Sequence, residues 1–211
     1  MNVREDDLVS AVALVLASSP AAAPVRLPAA PNCPLFPSKN VWNKRIGELP
    51  VRSSSRTIVS SIGAKLPLHA DFGSGLWDGG PIGIPITVVD SSQPASAVDF
   101  QYGDESDPGP YPIPNDVAIE GGPTAGGDRH AVIVESDSCK LYELFALYPT
   151  SGGWRAGSGA IFDLRSNKLR PAGWTSADAA GLPIFSGLAR YDEVRRGVID
   201  HALRFTVERT R

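Results

Sequence analysis

GGDRHAVIVESDSCKLYELF, residues 126–145, carries the pattern that decides the fold. Residues 130–135 are rich in β-branched side chains, and residues 140–146 alternate apolar with polar ones. Between them Ser136, Asp137, Ser138 and Cys139 form a turn cluster, so the stretch reads as a β-hairpin. A four-residue turn sets Glu135 opposite Lys140, Val132 opposite Glu143 and His130 opposite Phe145. Side chains alternate across a strand, so His130, Val132 and Val134 share a face with Leu141, Glu143 and Phe145. That face is mostly apolar, yet it carries an imidazole and a carboxylate as diagonal neighbours. Burying a lone carboxylate is costly, so Glu143 needs a partner or a task.

The rest of the composition frames this hairpin. With 211 residues, 42% hydrophobic and 20% charged, the chain suffices for one core, or one core with an appendage. Gly (21) and Pro (19) are plentiful and long helical patterns are scarce. The expected class is therefore all-β, an antiparallel β-sandwich or jelly-roll-like pair of sheets with short helices in the connections. The net charge of −3 comes with no basic stripe and no block of Lys and Arg, which argues against a nucleic-acid partner. Cys33 and Cys139 read either as one bridge tying the N-terminal arm to the hairpin turn, suited to an oxidising compartment, or as two free thiols.

No apolar run approaches the roughly 18–20 residues of a membrane span. LVSAVALVLA (8–17), followed by small residues at 18–23, resembles a signal-peptide core. Its flank is acidic, with Glu5, Asp6 and Asp7 outweighing Arg4, and Pro24 follows the most obvious cleavage site. Residues 1–30 thus read as a degenerate signal peptide or disordered leader, with a short amphipathic helix as the alternative. Residues 31–211 read as one β-rich domain.

Along that domain, the Pro- and Ala-rich run 24–37 reads as an extended linker, and 40–43 as a first strand. Residues 53–62 predict a short helix packed on the sheet, with Ile58, Val59 and Ile62 on one face and Gly63 as its stop. Residues 66–81 form a Gly-rich loop of the kind that binds ligands, holding His69, Asp71 and Trp77. Residues 83–89 predict an edge strand because of Pro85, and 96–102 another strand. The Pro-rich run 104–114 cannot be regular. Residues 154–164 predict a strand or strand pair, 175–180 a short helix stopped by Gly181, and 191–196 a further turn of helix. Residues 201–207 predict a strand with His201, Leu203, Phe205 and Val207 on one face.

Several blocks together carry a likeness: CPLFPSKNVWN (33–43), IEGG (119–122), DRHAVIVE (128–135), KLYELF (140–145), GWRAGSGAIFDLRSNKLRPAGWTSADAAGLPIF (153–185) and IDHALRFTV (199–207). From Cys33 to about Thr210 the chain resembles a family of secreted, functionally uncharacterised proteins common in actinobacteria and related soil bacteria. The resemblance implies secretion and supplies no activity. It also implies two departures. Relatives continue past this C-terminus with further aromatic and histidine-bearing strands, and they run directly from the Gly pair to the DRH triplet, without the loop-lengthening residues 123–127. The chain is then a shortened member with an incomplete site.

Three constellations follow. Asp128, Arg129, His130, Glu143 and His201 are the catalytic candidates. Two imidazoles and a carboxylate on one sheet face suit acid/base cleavage of a glycosidic bond, or a metal held by His130, Glu143 and His201. The plain alternative is that His130 and Glu143 satisfy one another inside a sandwich. Asp71, Asp78, Glu120, Asp128 and Asp163 could supply the carboxyl pair that glycoside hydrolysis takes, or simply be solvated turn residues. Of the aromatics Trp42, Trp77, Trp154, Trp174, Tyr102 and Tyr111, Trp77 is best placed as a sugar platform, with Asp71 and Tyr102 as companions in substrate binding. No nucleophile elbow, phosphate loop, HExxH or EF-hand motif is present, and nothing identifies a cofactor. The expectation is a secreted, monomeric protein acting on polysaccharide or cell-wall glycan. A non-catalytic carbohydrate-binding module and a metal-dependent oxidative enzyme are the alternatives.

Overall fold

The predicted hairpin forms, and it lies in the middle of a sheet. The computed structural model describes residues 26–67, 69–70, 72–77 and 79–207. Along the chain run β1 (Arg26–Leu27), β2 (Ala30–Pro34), α1 (Ser55–Ile62), β3 (Leu76–Trp77), β4 (Gly80–Pro81), β5 (Ile86–Val89), β6 (Val98–Phe100), β7 (Ala131–Glu135), β8 (Lys140–Phe145), β9 (Tyr148–Thr150), β10 (Gly153–Ala156), β11 (Ser158–Asp163) and α2 (Tyr191–Arg196). The main sheet has the order β11-β8-β7-β5 and a second sheet the order β6-β10-β9. In the hairpin β7–β8, Glu135 pairs with Lys140 and Val132 with Glu143, the register that a four-residue turn dictates.

The all-β class holds, while each main sheet contains one parallel pair, β5 with β7 and β6 with β10. The cause is connectivity. The chain leaves β5, passes through β6 and the Pro-rich run, and only then enters β7; so long a crossover lets two neighbours run the same way.

The main sheet is buried on both faces. On one, Val132, Val134, Leu141, Ala160 and Phe162 pack beneath Cys33, Leu35, Phe36 and Phe185. On the other, Ala131, Ile133 and Leu144 meet Val98, Phe100, Trp154 and Ala156 of the second sheet, together with Tyr111 and Ile113. Burial on both sides explains why β7 is apolar at consecutive positions.

Four expected segments take another form. The run 24–37 is no linker: its described part forms the β1–β2 hairpin, and Leu35 and Phe36 cover the sheet. It is fastened there by a disulfide between Cys33 and Cys139 in the hairpin turn. Residues 40–43 make a turn, because Asn43 Nδ2 donates to the carbonyls of Leu35, Phe36 and Pro37 and curls the chain on itself. No helix forms at 175–180. There Ser176 Oγ accepts from the Asp178 amide and donates to Leu182 O, so a side chain replaces the helical bonds. Residues 201–207 make no strand, since Ala202 N donates to Trp42 O and Arg204 N to Gly187 O, two different segments that cannot form one ladder.

The helices α1 and α2 do form, each ended by a left-handed glycine, Gly63 and Gly197. α1 buries no residue, contrary to the expectation that it packs on the sheet. Of the leader read as residues 1–30, residues 1–25 lie outside the described residues, as do Asp71 and Asp78. Residues 26–30 are no leader and belong to the β1–β2 hairpin, with Ala30 buried.

The bridge joins positions 106 residues apart, and closing a loop of that size stabilises the fold by about 4–5 kcal/mol through the entropy of the unfolded chain. Reduction is therefore expected to lower the urea midpoint sharply. An unchanged midpoint in reductant would show that the arm is held by packing alone.

Candidate functional site

Glu143 is the most constrained polar group on the covered face of the main sheet. Its side chain is fully buried, and its two oxygens accept from the amides of Ile184 (2.9 Å) and Phe185 (2.8 Å). These amides belong to an irregular strap, residues 176–185, laid across the sheet. Burial pushes the carboxyl up to about 7, while the two amides and the nearby His130 and Arg204 pull the other way.

His130 lies on the same face, as its register predicts, but its partner is not Glu143. Nδ1 stands 2.7 Å from Glu120 Oε2 and Nε2 stands 3.1 Å from Ala177 O. Both ring nitrogens therefore face oxygen acceptors, an arrangement that favours the doubly protonated ring. Desolvation lowers its affinity for the proton. The Glu120 hydrogen bond and charge, the Ala177 carbonyl and Asp128 outweigh that, and the net shift is upward. Glu120 is raised by desolvation and lowered by more through His130 and Arg204, so it is held below the ordinary carboxylate range.

Around this pair the chain gathers further charge. Arg204 forms an ion pair with Asp178 of the strap. It reaches this position because position 187 is glycine: a Cβ there would lie 2.8 Å from Arg204 Cβ. Glu120 and Arg204 keep about a third of their side chains exposed, 31% and 29%, whereas His130 keeps 11%. Beside Glu120, the β3–β4 hairpin packs so closely that a Cβ on Gly80 would come within 2.0 Å of Gly121 O. The Gly-rich loop expected to bind ligand thus abuts the residue next to Glu120.

Other predicted site residues go elsewhere. His201 contacts Glu193 Oε2 (3.1 Å) and Ala202 O (2.8 Å), in a buried network with Arg190, and does not join His130. It sits there because the expected strand does not form. Arg129 is 2% exposed, with Nε on Leu147 O and Nη1 on the carbonyls of Pro123 and Ala125, so it braces the loop 123–127. Its guanidinium also stacks on Tyr148, 4.3 Å from the ring centroid. Asp128 is exposed beside His130, and Asp163 is a turn residue accepting from the Arg165 amide. Tyr102 is half exposed beyond β6, its amide bonded to Gly157 O. The side chain of Trp77 lies outside the described residues, as do Asp71 and Asp78. Among the described residues no group of three or more His, Cys, Asp and Glu side chains is arranged to hold a metal ion.

An open depression of about 540 Å³ lies along β5, lined by Thr87, Asp90, Ser92, Gln93, Asp116 and Ser136 among others. Asp90 there is already engaged by Ser92. Sequence reasoning placed Glu120 among the loop acids without pairing it to His130. The two are brought together by a lone backbone bond, Glu120 N to His130 O, outside any strand, and that leaves no pattern in the sequence. Comparison of the chain with family models, with curated proteins and with solved structures finds no match in any of the three.

The shifts fix a pH dependence. Glu143, raised from 4.5 to about 7, contributes stability that is fully present below 4.5 and lost as pH rises through about 7. His130, raised above 6.5, acts with the same sign, and Glu120, lowered from 4.5, with the opposite sign at acid pH. The urea midpoint is expected to fall between about pH 5 and pH 8. Glu143→Gln should be less stable overall, because one strap amide then faces an NH2 group, and its pH profile should be flatter. A variant profile parallel to the parent's would assign the titration elsewhere.

Proposed function

We propose that this chain is a secreted glycan-binding module whose contact surface is the rim of Glu120, Asp178 and Arg204 beside the β3–β4 hairpin. The observation that supports it most is the packing of Gly80 on Gly121, which brings the β3–β4 hairpin next to the partly exposed Glu120. Such equipment suits sugars. Carboxylate and guanidinium groups bond adjacent hydroxyls of a sugar ring. The Cys33–Cys139 bridge fits an oxidising compartment, and no helix among the described residues is long and apolar enough to cross a membrane. The resemblance of the blocks quoted above to a family of secreted soil-bacterial proteins agrees with the same address.

Binding is favoured over cleavage by the inventory of protons. A general acid or base must reach the reacting atom. Both nitrogens of His130 are engaged within the protein, and both oxygens of Glu143 are sealed on amides. The second reading is cleavage through Glu120, and one fact favours it: that carboxylate is ionised near neutrality and partly open to solvent.

Sedimentation with insoluble polysaccharides, followed by calorimetry with soluble fragments, tests both readings. Trp77→Ala and Glu120→Gln are each expected to weaken binding about tenfold or more, roughly 1.4 kcal/mol. A parent that binds no glycan, or variants that bind as the parent does, would overturn the proposal. Release of reducing sugar by the parent and not by Glu120→Gln would establish the second reading instead.

A further inference from the structure

Residues 39–66 leave the sheets and carry an unusual surface. Val41, Ile46, Leu49, Val51 and Leu66 are 74, 69, 49, 83 and 71% exposed, and Val59 on α1 is 49% exposed. Monomeric proteins do expose single aliphatics, but so many in one excursion mark a surface that meets something apolar. Interleaved with them are six basic side chains, Lys39, Lys44, Arg45, Arg52, Arg56 and Lys65, against the single acid Glu48, in a chain whose net charge is −3. All six are exposed, and none takes part in an ion pair among the described residues.

The chemistry of the occupant follows from this combination. An acidic polymer would match the charges and leave the aliphatics in water. A second copy docked face to face across a two-fold axis would oppose basic to basic. A protein partner would need a groove or a flat apolar face, whereas these aliphatics project from turns and one short exposed helix, and none of them lines the depression along β5. A deformable phase with an apolar interior and a negative surface matches both halves of the pattern. We infer that residues 39–66 form a peripheral docking surface for an anionic phospholipid bilayer, with Ile46, Leu49 and Val51 entering the headgroup boundary and the six basic side chains meeting lipid phosphates. This goes beyond glycan binding and does not rest on it.

Co-sedimentation with vesicles tests it. The protein should bind vesicles of equal parts phosphatidylcholine and phosphatidylglycerol, leave pure phosphatidylcholine vesicles unbound, and be released by high salt. Reversing Arg52 and Arg56 (R52E, R56E) should weaken binding at least about fivefold for each charge. Val51→Asp and Ile46→Asp, at positions too exposed to disturb the fold, should weaken it at low salt as well. Equal binding to both vesicle types, no binding, or aspartate variants that bind as the parent does would overturn the inference. So would a concentration-dependent dimer of the free protein that Val51→Asp dissolves, since a second copy would then cover the surface.

Discussion

A single buried carboxylate holds the covered face of the main sheet together. An irregular strap crosses that face, and its amides at Ile184 and Phe185 have no strand or helix to bond. An unpartnered buried amide costs about 1–3 kcal/mol, so the sheet must supply acceptors. A carboxylate is the side chain suited to two donors at once, because it accepts at two oxygens and donates at none. Desolvating it is expensive, and each charge-assisted bond returns about 1.5–3 kcal/mol. Desolvation outweighs these bonds and raises the carboxyl to about 7.

The same device recurs wherever irregular chain meets a strand. Ser158 Oγ donates to Ser176 O, and the His130 ring meets Ala177 O, so three polar side chains of the hairpin and its neighbour fasten one strap. At the outer edge of β11, Gly159 N donates to Ser106 Oγ and Ile161 N to Asp107 Oδ2, while Asp107 N returns a bond to Gly159 O. An edge strand left open invites pairing with another chain, and here the Pro-rich segment closes it with side-chain oxygens. Arg170 then neutralises Asp107. Regular ladders are short in this protein, and loops tied down by side chains replace them.

That economy sets what could be read from the sequence. The hairpin register was legible because two independent signals, the period of two and the turn length, agree. Helix α1 was legible because its apolar spacing and its stop glycine, Gly63, are local signals. The anomaly of Glu143 was legible too, yet its partners were not: backbone amides at 184 and 185 carry no side-chain signature, and sequence pairing looked instead to the nearest imidazole. His201 misled because alternation predicts a strand only where one neighbour supplies the whole ladder. Here two segments, ending at Trp42 and Gly187, take one bond each. Arg129 looked like part of a charged triplet and is an internal brace, since a buried guanidinium is equally well satisfied by carbonyls.

The division of labour among the charges follows from geometry. A group whose every lone pair or proton is fixed by its own chain cannot move a proton for a ligand without first breaking those bonds, and in a low-dielectric site each broken bond is felt in full. Glu143, His130 and His201 are all of this kind, held by the strap, by Glu120 and Ala177, and by Glu193. Glu120 differs, because it bonds the His130 ring and still shows about a third of its side chain to solvent (31%). Arg204 differs in the same way across its pair with Asp178. The buried acids and imidazoles therefore set where the strap lies, and the strap, with the glycine at 187, sets where Arg204 and Asp178 stand. Within the cluster, the solvent-facing bonding capacity that is left over lies at that rim.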